Sequence, residues 1–173
     1  MTSPVLVREE QPADQRAIHA VNAAAFETDA EARLVDALRA GAGLTLSLVA
    51  EVDGELAGHI AFSPVTVTRA DGTTLEGVGL APMAVLPSRQ RAGIGGRLIA
   101  DGLRRLREAG HRFCVVLGHP EYYPRHGFVR ASTHGLAWDR PAPDEAFLVQ
   151  ELAPGGLGGV HGIVRYRPEF DAV

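Results

Sequence analysis

The chain contains no lysine, one cysteine and one tryptophan. A lone cysteine, Cys114, cannot close a disulfide within the chain, and 173 residues bury a substantial core without one. Such cysteine usage suits a reducing compartment, so a cytoplasmic location is expected. Nowhere do apolar residues run on for the roughly 20 positions that a membrane-crossing helix needs. The first residues lack a basic stretch followed by an apolar core, so no secretory signal is expected either. Positive charge is scarce: 17 arginines against 21 acidic residues leave a net charge of −4, without the basic field that general nucleic-acid binding uses. His111, His119, His126, His134 and His161 do not fall at the spacing of metal ligands on one helix, and no metal is expected.

What is present reads as an ordinary folded chain. Apolar residues make up 46% and charged residues 22%, which argues against disorder. No repeat is visible, and Pro141-Ala-Pro143 is too short for a linker, so one domain over 1–173 is expected.

Hydrophobic periodicity gives the elements. Val5 to Glu9 reads as a strand. Pro12, with Asp14 nearby, opens a helix that runs to Phe26 on an Ile18, Val21, Ala25 stripe. Thr28-x-x-Glu31 has the spacing of a capping box ahead of a second helix, with Leu34, Val35 and Leu38 inward and a stop at Gly41. Leu44 to Val52, Glu55 to Thr68 and Thr73 to Leu86 then read as an antiparallel meander, turning at Asp53-Gly54 and at Arg69 to Gly72. Pro82 sits in the third of these strands, which is too apolar for an edge, and a bulge reconciles the two facts. An amphipathic helix from Ile94 to Ala109 follows, with Gly102 on its inner face predicting close packing there. His111 to Leu117 is a buried strand, set parallel to an earlier one by the intervening helix. Beyond Phe128 two more strands are expected, Ala146 to Leu152 and Gly162 to Tyr166. The class is α+β, a mixed and mostly antiparallel sheet flanked by helices.

The stretch Gln90-Arg91-Ala92-Gly93-Ile94-Gly95-Gly96 joins a strand to a helix. The first amides of a helix lack intrahelical acceptors and lie at the positive end of its dipole, and glycines let an anion approach the backbone. Arg89, Arg91 and Arg97 add charge, so a phosphate or diphosphate site is expected. Neither a Lys-Ser/Thr pair nor a third spaced glycine follows, which excludes the two commonest nucleotide-binding loops.

Gln90-x-x-Gly93-x-Gly95, preceded by Met83-Ala84-Val85-Leu86-Pro87, resembles the acetyl-CoA-binding motif of the GNAT superfamily of N-acetyltransferases. Tyr122-Tyr123-Pro124-Arg125-His126-Gly127-Phe128 is similar to the family's later motif, a tyrosine four residues before Gly-Phe. The likeness covers about residues 5 to 130. It implies a GNAT-like sheet in which the bulged strand at about 74–86 splays from the strand at about 112–118. It also implies acetyl-CoA as co-substrate, held by Gln90 to Gly96 and by the backbone of Met83, Ala84 and Val85. By position, Tyr123 is the expected proton donor to the departing thiolate and a further cofactor contact. The helical pair and its loop overhang the acceptor in this family, which points to Phe26, Glu27 and Glu31 for substrate binding.

The implied reaction is acetyl transfer to a primary amine of a small molecule or peptide, by direct attack through a tetrahedral intermediate. A phenol near pKa 10 stays protonated at neutral pH and lies within about 2 units of a thiol near 8.5. The base is open. Many family members carry a glutamate on the bulged strand where this chain has Ala81, which leaves Glu76, His119 or a water. That departure also admits a CoA-binding sensor or assembly module without turnover. An oligomer is compatible with either reading.

Overall fold

A computed structural model of the chain describes residues 3–173, which form two compact units. The first takes in the chain as far as Phe62, then Pro82–Gly102 and Pro168–Val173; the second takes in Ser63–Ala81 and Leu103–Arg167.

In the first unit, β1 (Val5–Glu9) pairs antiparallel with β2 (Leu46–Val52), which pairs antiparallel with the opening half of β3 (Glu55–Thr68). The β2–β3 turn places Asp53 and Gly54 at φ +53° and +80°, the left-handed pair that a two-residue hairpin with the twist of its strands requires. Between β1 and β2 the chain makes α1 (Gln15–Ala25) and α2 (Ala30–Ala40). Their inward stripes meet the sheet where Ile18, Val35 and Val49 form a fully buried cluster.

The helix entrances are held differently. Before α1, the Asp14 carboxylate accepts from the Gln11 amide at 2.7 Å and from both ends of the Arg8 guanidinium at 2.7 and 3.0 Å. Arg8 also reaches Glu51 at 3.1 Å, so one guanidinium joins β1, β2 and the start of α1. At α2 the expected Thr28–Glu31 capping box does not form. The helix begins at Ala30, one residue late for that register, with Asp29 at the cap and no side-chain capping bond; Thr28 Oγ1 accepts only from the Ala30 amide.

The amphipathic helix α3 (Ile94–Glu108) starts in this unit. Its Ile94 and Leu98 press on β3 at Gly58, where a β-carbon would stand 3.0 and 3.1 Å from them. Gly102 meets Phe62 in the same way, the close approach expected from sequence.

In the second unit, the opening part of β4 (Thr74–Val85) pairs parallel with β5 (Phe113–Leu117), which pairs antiparallel with β8 (Phe147–Glu151), and β6 (Val129–Arg130) lies antiparallel on β8. The outer half of β3 pairs antiparallel with β9 (Gly162–Arg165), and β9 pairs parallel with β7 (Leu136–Trp138). Val65, Val67, Phe113, Val115, Val149 and Val164 fill the core. β6 and β7 are not among the strands that periodicity predicts. Two or three residues are too few for a period to show, and their pairing comes from partners far along the chain.

β4 carries an irregularity. From the Arg69–Thr73 bond to the Leu86–Ala57 bond, β3 runs 13 residues (57–69) and β4 runs 14 (73–86). One extra residue on β4 is the count that a bulge produces. Its ladder with β5 is three residues long, Val78 to Leu80 against Cys114 to Val116, and stops two residues before Pro82. The mixed, mostly antiparallel α+β sheet is thus as expected.

Candidate active site

In the first unit, the chain leaves β4 at Val85, makes a short turn at Pro87–Arg89, and enters α3 at Ile94. The earliest bond of the new helix is Arg97 N–H to Gly93 O at 3.1 Å, so the amides of Ile94, Gly95 and Gly96 precede it. Arg91 and Gly93 both hold left-handed backbone, φ +63° and +82°. An arginine in that region carries strain, and alternation of left- and right-handed residues turns successive amides toward one point. Arg91, Ala92 and Gly93 are exposed, and Gly95 and Gly96 half-buried. Nothing of the protein fills the space where a β-carbon on Gly93 would go.

Two of the three flanking arginines are engaged elsewhere. Arg97 donates to Val5 O at 3.2 Å, and Arg89 lies 3.7 Å from Asp53. Gln90 donates its side-chain amide to Val85 O at 3.2 Å, bracing the end of β4. On β4 itself Ala84 is buried while Met83 and Val85 are half-buried. Also in this unit, Phe26 ends α1 half-buried, Glu27 is exposed, and Glu31 sits half-buried in the first turn of α2. Glu31 Oε2 is buried without a hydrogen-bond partner.

In the second unit, the segment after β5 turns back on itself. The amides of Tyr122 and Tyr123 both donate to His119 O, at 3.1 and 3.3 Å, and Gly127 closes the turn in left-handed backbone at φ +93°. Gln150 on β8 clamps it by donating to His126 O at 2.6 Å. Tyr123 is buried, with its ring edge-on to Tyr122 and Phe128 at centroid distances of 5.2 and 5.7 Å. Burial holds its hydroxyl well above the usual phenol pKa. Tyr122 is half-buried and shifted upward for the same reason, and His126, against the Tyr122 ring at 4.9 Å, is pushed down by burial and by Arg125. Of the candidate bases, His119 and Glu76 are both exposed. Cys114 is fully buried in β5, and burial holds its thiol protonated, so it is no nucleophile.

A family model described as an acetyltransferase (GNAT) domain matches residues 7–131. The chain belongs to the GNAT family of acetyltransferases. It is 42% identical over 168 residues to the Escherichia coli K12 N-acetyltransferase YhbS, covering 96% of this chain and 99% of that protein. The crystal structure of Escherichia coli YhbS in complex with CoA has a TM-score of 0.92 at 41% identity, with 99% of this chain and 94% of that one covered. A GNAT acetyltransferase from Brucella melitensis, in complex with acetyl-CoA, has a TM-score of 0.79 at 41% identity over 98% and 99%.

One polar constellation in this GNAT chain was not foreseen. His59 on β3 is fully buried between Ser47, 2.8 Å from Nε2, and Asn22, 3.0 Å from Nδ1. Asn22 Nδ2 also donates to Ile18 O at 3.0 Å. The bonding makes Nδ1 the acceptor and Nε2–H the donor, a neutral imidazole, and burial lowers its pKa to about 3. Serine, histidine and asparagine in line resemble a nucleophilic triad. Each is sealed in the core, so the set pins α1 to the sheet. The one signal was polar residues at inward positions of an apolar helix and strand.

Proposed function

We propose that this GNAT protein transfers the acetyl group of acetyl-CoA to a primary amine of a small molecule or peptide, by direct attack through a tetrahedral intermediate. The observation that carries the reading is the turn into α3, where strained Arg91 and left-handed Gly93 precede three amides that lie ahead of the first helical bond. Those amides suit a diphosphate, and two relatives at 41% identity have crystal structures with CoA or acetyl-CoA.

The roles divide as follows. Backbone amides from Gln90 through Arg91, Ala92, Gly93, Ile94 and Gly95 to Gly96 hold the diphosphate of the co-substrate. The backbone of Met83, Ala84 and Val85 pairs with its pantetheine arm, and the Met83 or Val85 amide donates to the carbonyl oxygen as negative charge develops there, worth about 3 kcal/mol in other acyl-transfer sites. The neutral amine adds to the carbonyl carbon, forming the C–N bond of a tetrahedral intermediate; its collapse breaks the C–S bond, the thiolate leaves with a proton from Tyr123, and the nitrogen gives up its extra proton through water, which restores the phenol. Its raised pKa makes Tyr123 a weak acid alone. Desolvation of the thiolate raises the thiol's pKa in the same direction, which keeps the two within reach.

An amine near pKa 10 is only about one part in a thousand neutral at pH 7, so its proton must be taken. His119, exposed at the head of the Tyr123 turn, takes it directly or through water; Glu76 is the alternative. Phe26, Glu27 and Glu31 are proposed to bind the acceptor; the two carboxylates favour a cationic one, and an ammonium would supply the partner that Glu31 Oε2 lacks. A screen of primary amines with acetyl-CoA and detection of free thiol tests the function. Thiol release with at least one amine is expected, and none across a broad set contradicts it.

A further inference from the structure

The Tyr123 ring is bounded on two edges by Phe128 and Tyr122. It also lies against a piece of bare backbone. A β-carbon on Gly118 would stand 2.6 Å from Cδ2 and 3.2 Å from Cζ of the ring, and nearer still to Cε2. Carbon atoms in contact settle at about 3.5–4.0 Å, so no side chain fits there while the ring stays.

The glycine is not required by its own backbone. Gly118 is absent from the left-handed glycines of the chain, unlike Gly127 at φ +93°. The φ of Gly118 lies outside the left-handed region that favours glycine. Gly118 is also fixed from the other side, its amide donating 2.9 Å to Ala146 O at the start of β8. Tyr123 is fixed by its own amide on His119 O and by the clamped turn that follows. Ring and glycine are therefore held against each other by bonds that involve neither the phenol nor the missing side chain.

We propose that Gly118 is a positioning residue for the Tyr123 hydroxyl: the space left by its absent side chain is the seat of the ring. Filling the seat displaces the ring, and the hydroxyl, at the far end of the lever, moves most. A misplacement of about 1 Å costs up to 100-fold in rate where a proton must be delivered. The inference rests on the reading of Tyr123 as the donor to the thiolate.

The test is a pair of cycles. Turnover at saturating acetyl-CoA, with an amine found active in the screen, is measured for Gly118→Ala, Tyr123→Phe and the double variant, with the Kd of CoA beside each. Gly118→Ala is expected to lower kcat about tenfold or more and to leave the Kd within about twofold, and the double variant to be no slower than Tyr123→Phe. Melting temperatures form the second cycle. Gly118→Ala should lower Tm by about 3 °C or more, or prevent folding, when Tyr123 is present, and by less than about 1 °C in a Tyr123→Ala background. Wild-type kcat in Tyr123→Phe removes the reading of Tyr123 and this inference with it. An impaired Tyr123→Phe beside an unimpaired Gly118→Ala overturns the inference alone. So does an equal loss of Tm in both backgrounds, since the glycine would then serve something other than the ring.

Discussion

Gly102 of α3 lies against the ring of Phe62 on β3, so close that a β-carbon would stand 2.6 Å from Cε2 and from Cζ. Both residues are buried, and the contact sets how near the helix comes to the strand. Two effects compete in Gly102→Ala. Helix propensity favours alanine by about 1 kcal/mol, while forcing an extra carbon into a packed core costs about 1–3 kcal/mol. Packing is expected to win, with a net loss of about 1 kcal/mol, read by urea unfolding; a stabilised variant would mean that Phe62 has room to turn.

Arg8 is the second fixed point of the first unit. Its guanidinium meets both oxygens of Asp14, whose side chain is 10% exposed, as well as Glu51. The Arg8 bonds hold the Asp14 carboxyl below its usual pKa. Arg8→Ala leaves that carboxylate with little but the Gln11 amide and should cost about 2 kcal/mol. The sign follows from linkage: a lowered carboxyl pKa gives stability that is present above about pH 4 and fades as pH falls below it. The difference between wild type and variant should therefore shrink in acid, as denaturant curves at pH 7 and pH 3 would record.

His59 acts in a different window. Its folded pKa is about 3, against about 6.5 unfolded, so only the unfolded chain takes up a proton between these values. Stability is full above about pH 6.5 and falls as pH drops toward 3, by up to about 1.4 kcal/mol per unit from this group. His59→Gln, which cannot titrate, should flatten the dependence of Tm on pH between 6.5 and 4.5. Parallel curves for the two proteins would show that His59 is not neutral in the fold.

Tyr123→Phe is expected to lower kcat at least tenfold at saturating acetyl-CoA while the Kd of CoA changes little. Because burial raises the phenol's pKa, the wild-type rate should show no fall from loss of the Tyr123 proton up to about pH 10. A descending limb near pH 8.5 in the rate profile, absent from the phenylalanine variant, would contradict the shift.

Much of this arrangement was legible from residue order because it rests on local chemistry. Asp53-Gly54 dictated the hairpin, and Pro82 within an apolar strand announced the extra residue on β4. The turn at Gly93 marked itself by residue type, and Gly93 is left-handed there. The failures have one physical cause, which is that tertiary partners decide them. Thr28 and Glu31 have a capping spacing, yet the register of α2 against the sheet starts the helix a residue late. β7 is a strand because β9 lies beside it. His59 reads as one more residue of a strand until Asn22 and Ser47 arrive from elsewhere.

The proposed function depends on amides at the start of α3 gripping a diphosphate, and calorimetric titration of CoA into wild type and Gly95→Asp addresses that grip most directly. The aspartate brings a side chain and a negative charge to a half-buried position in the first turn of the helix. Wild type should bind and the variant should bind at least tenfold more weakly, with Tm in the absence of CoA showing that it is folded. Equal affinity in the two folded proteins would place the phosphates elsewhere.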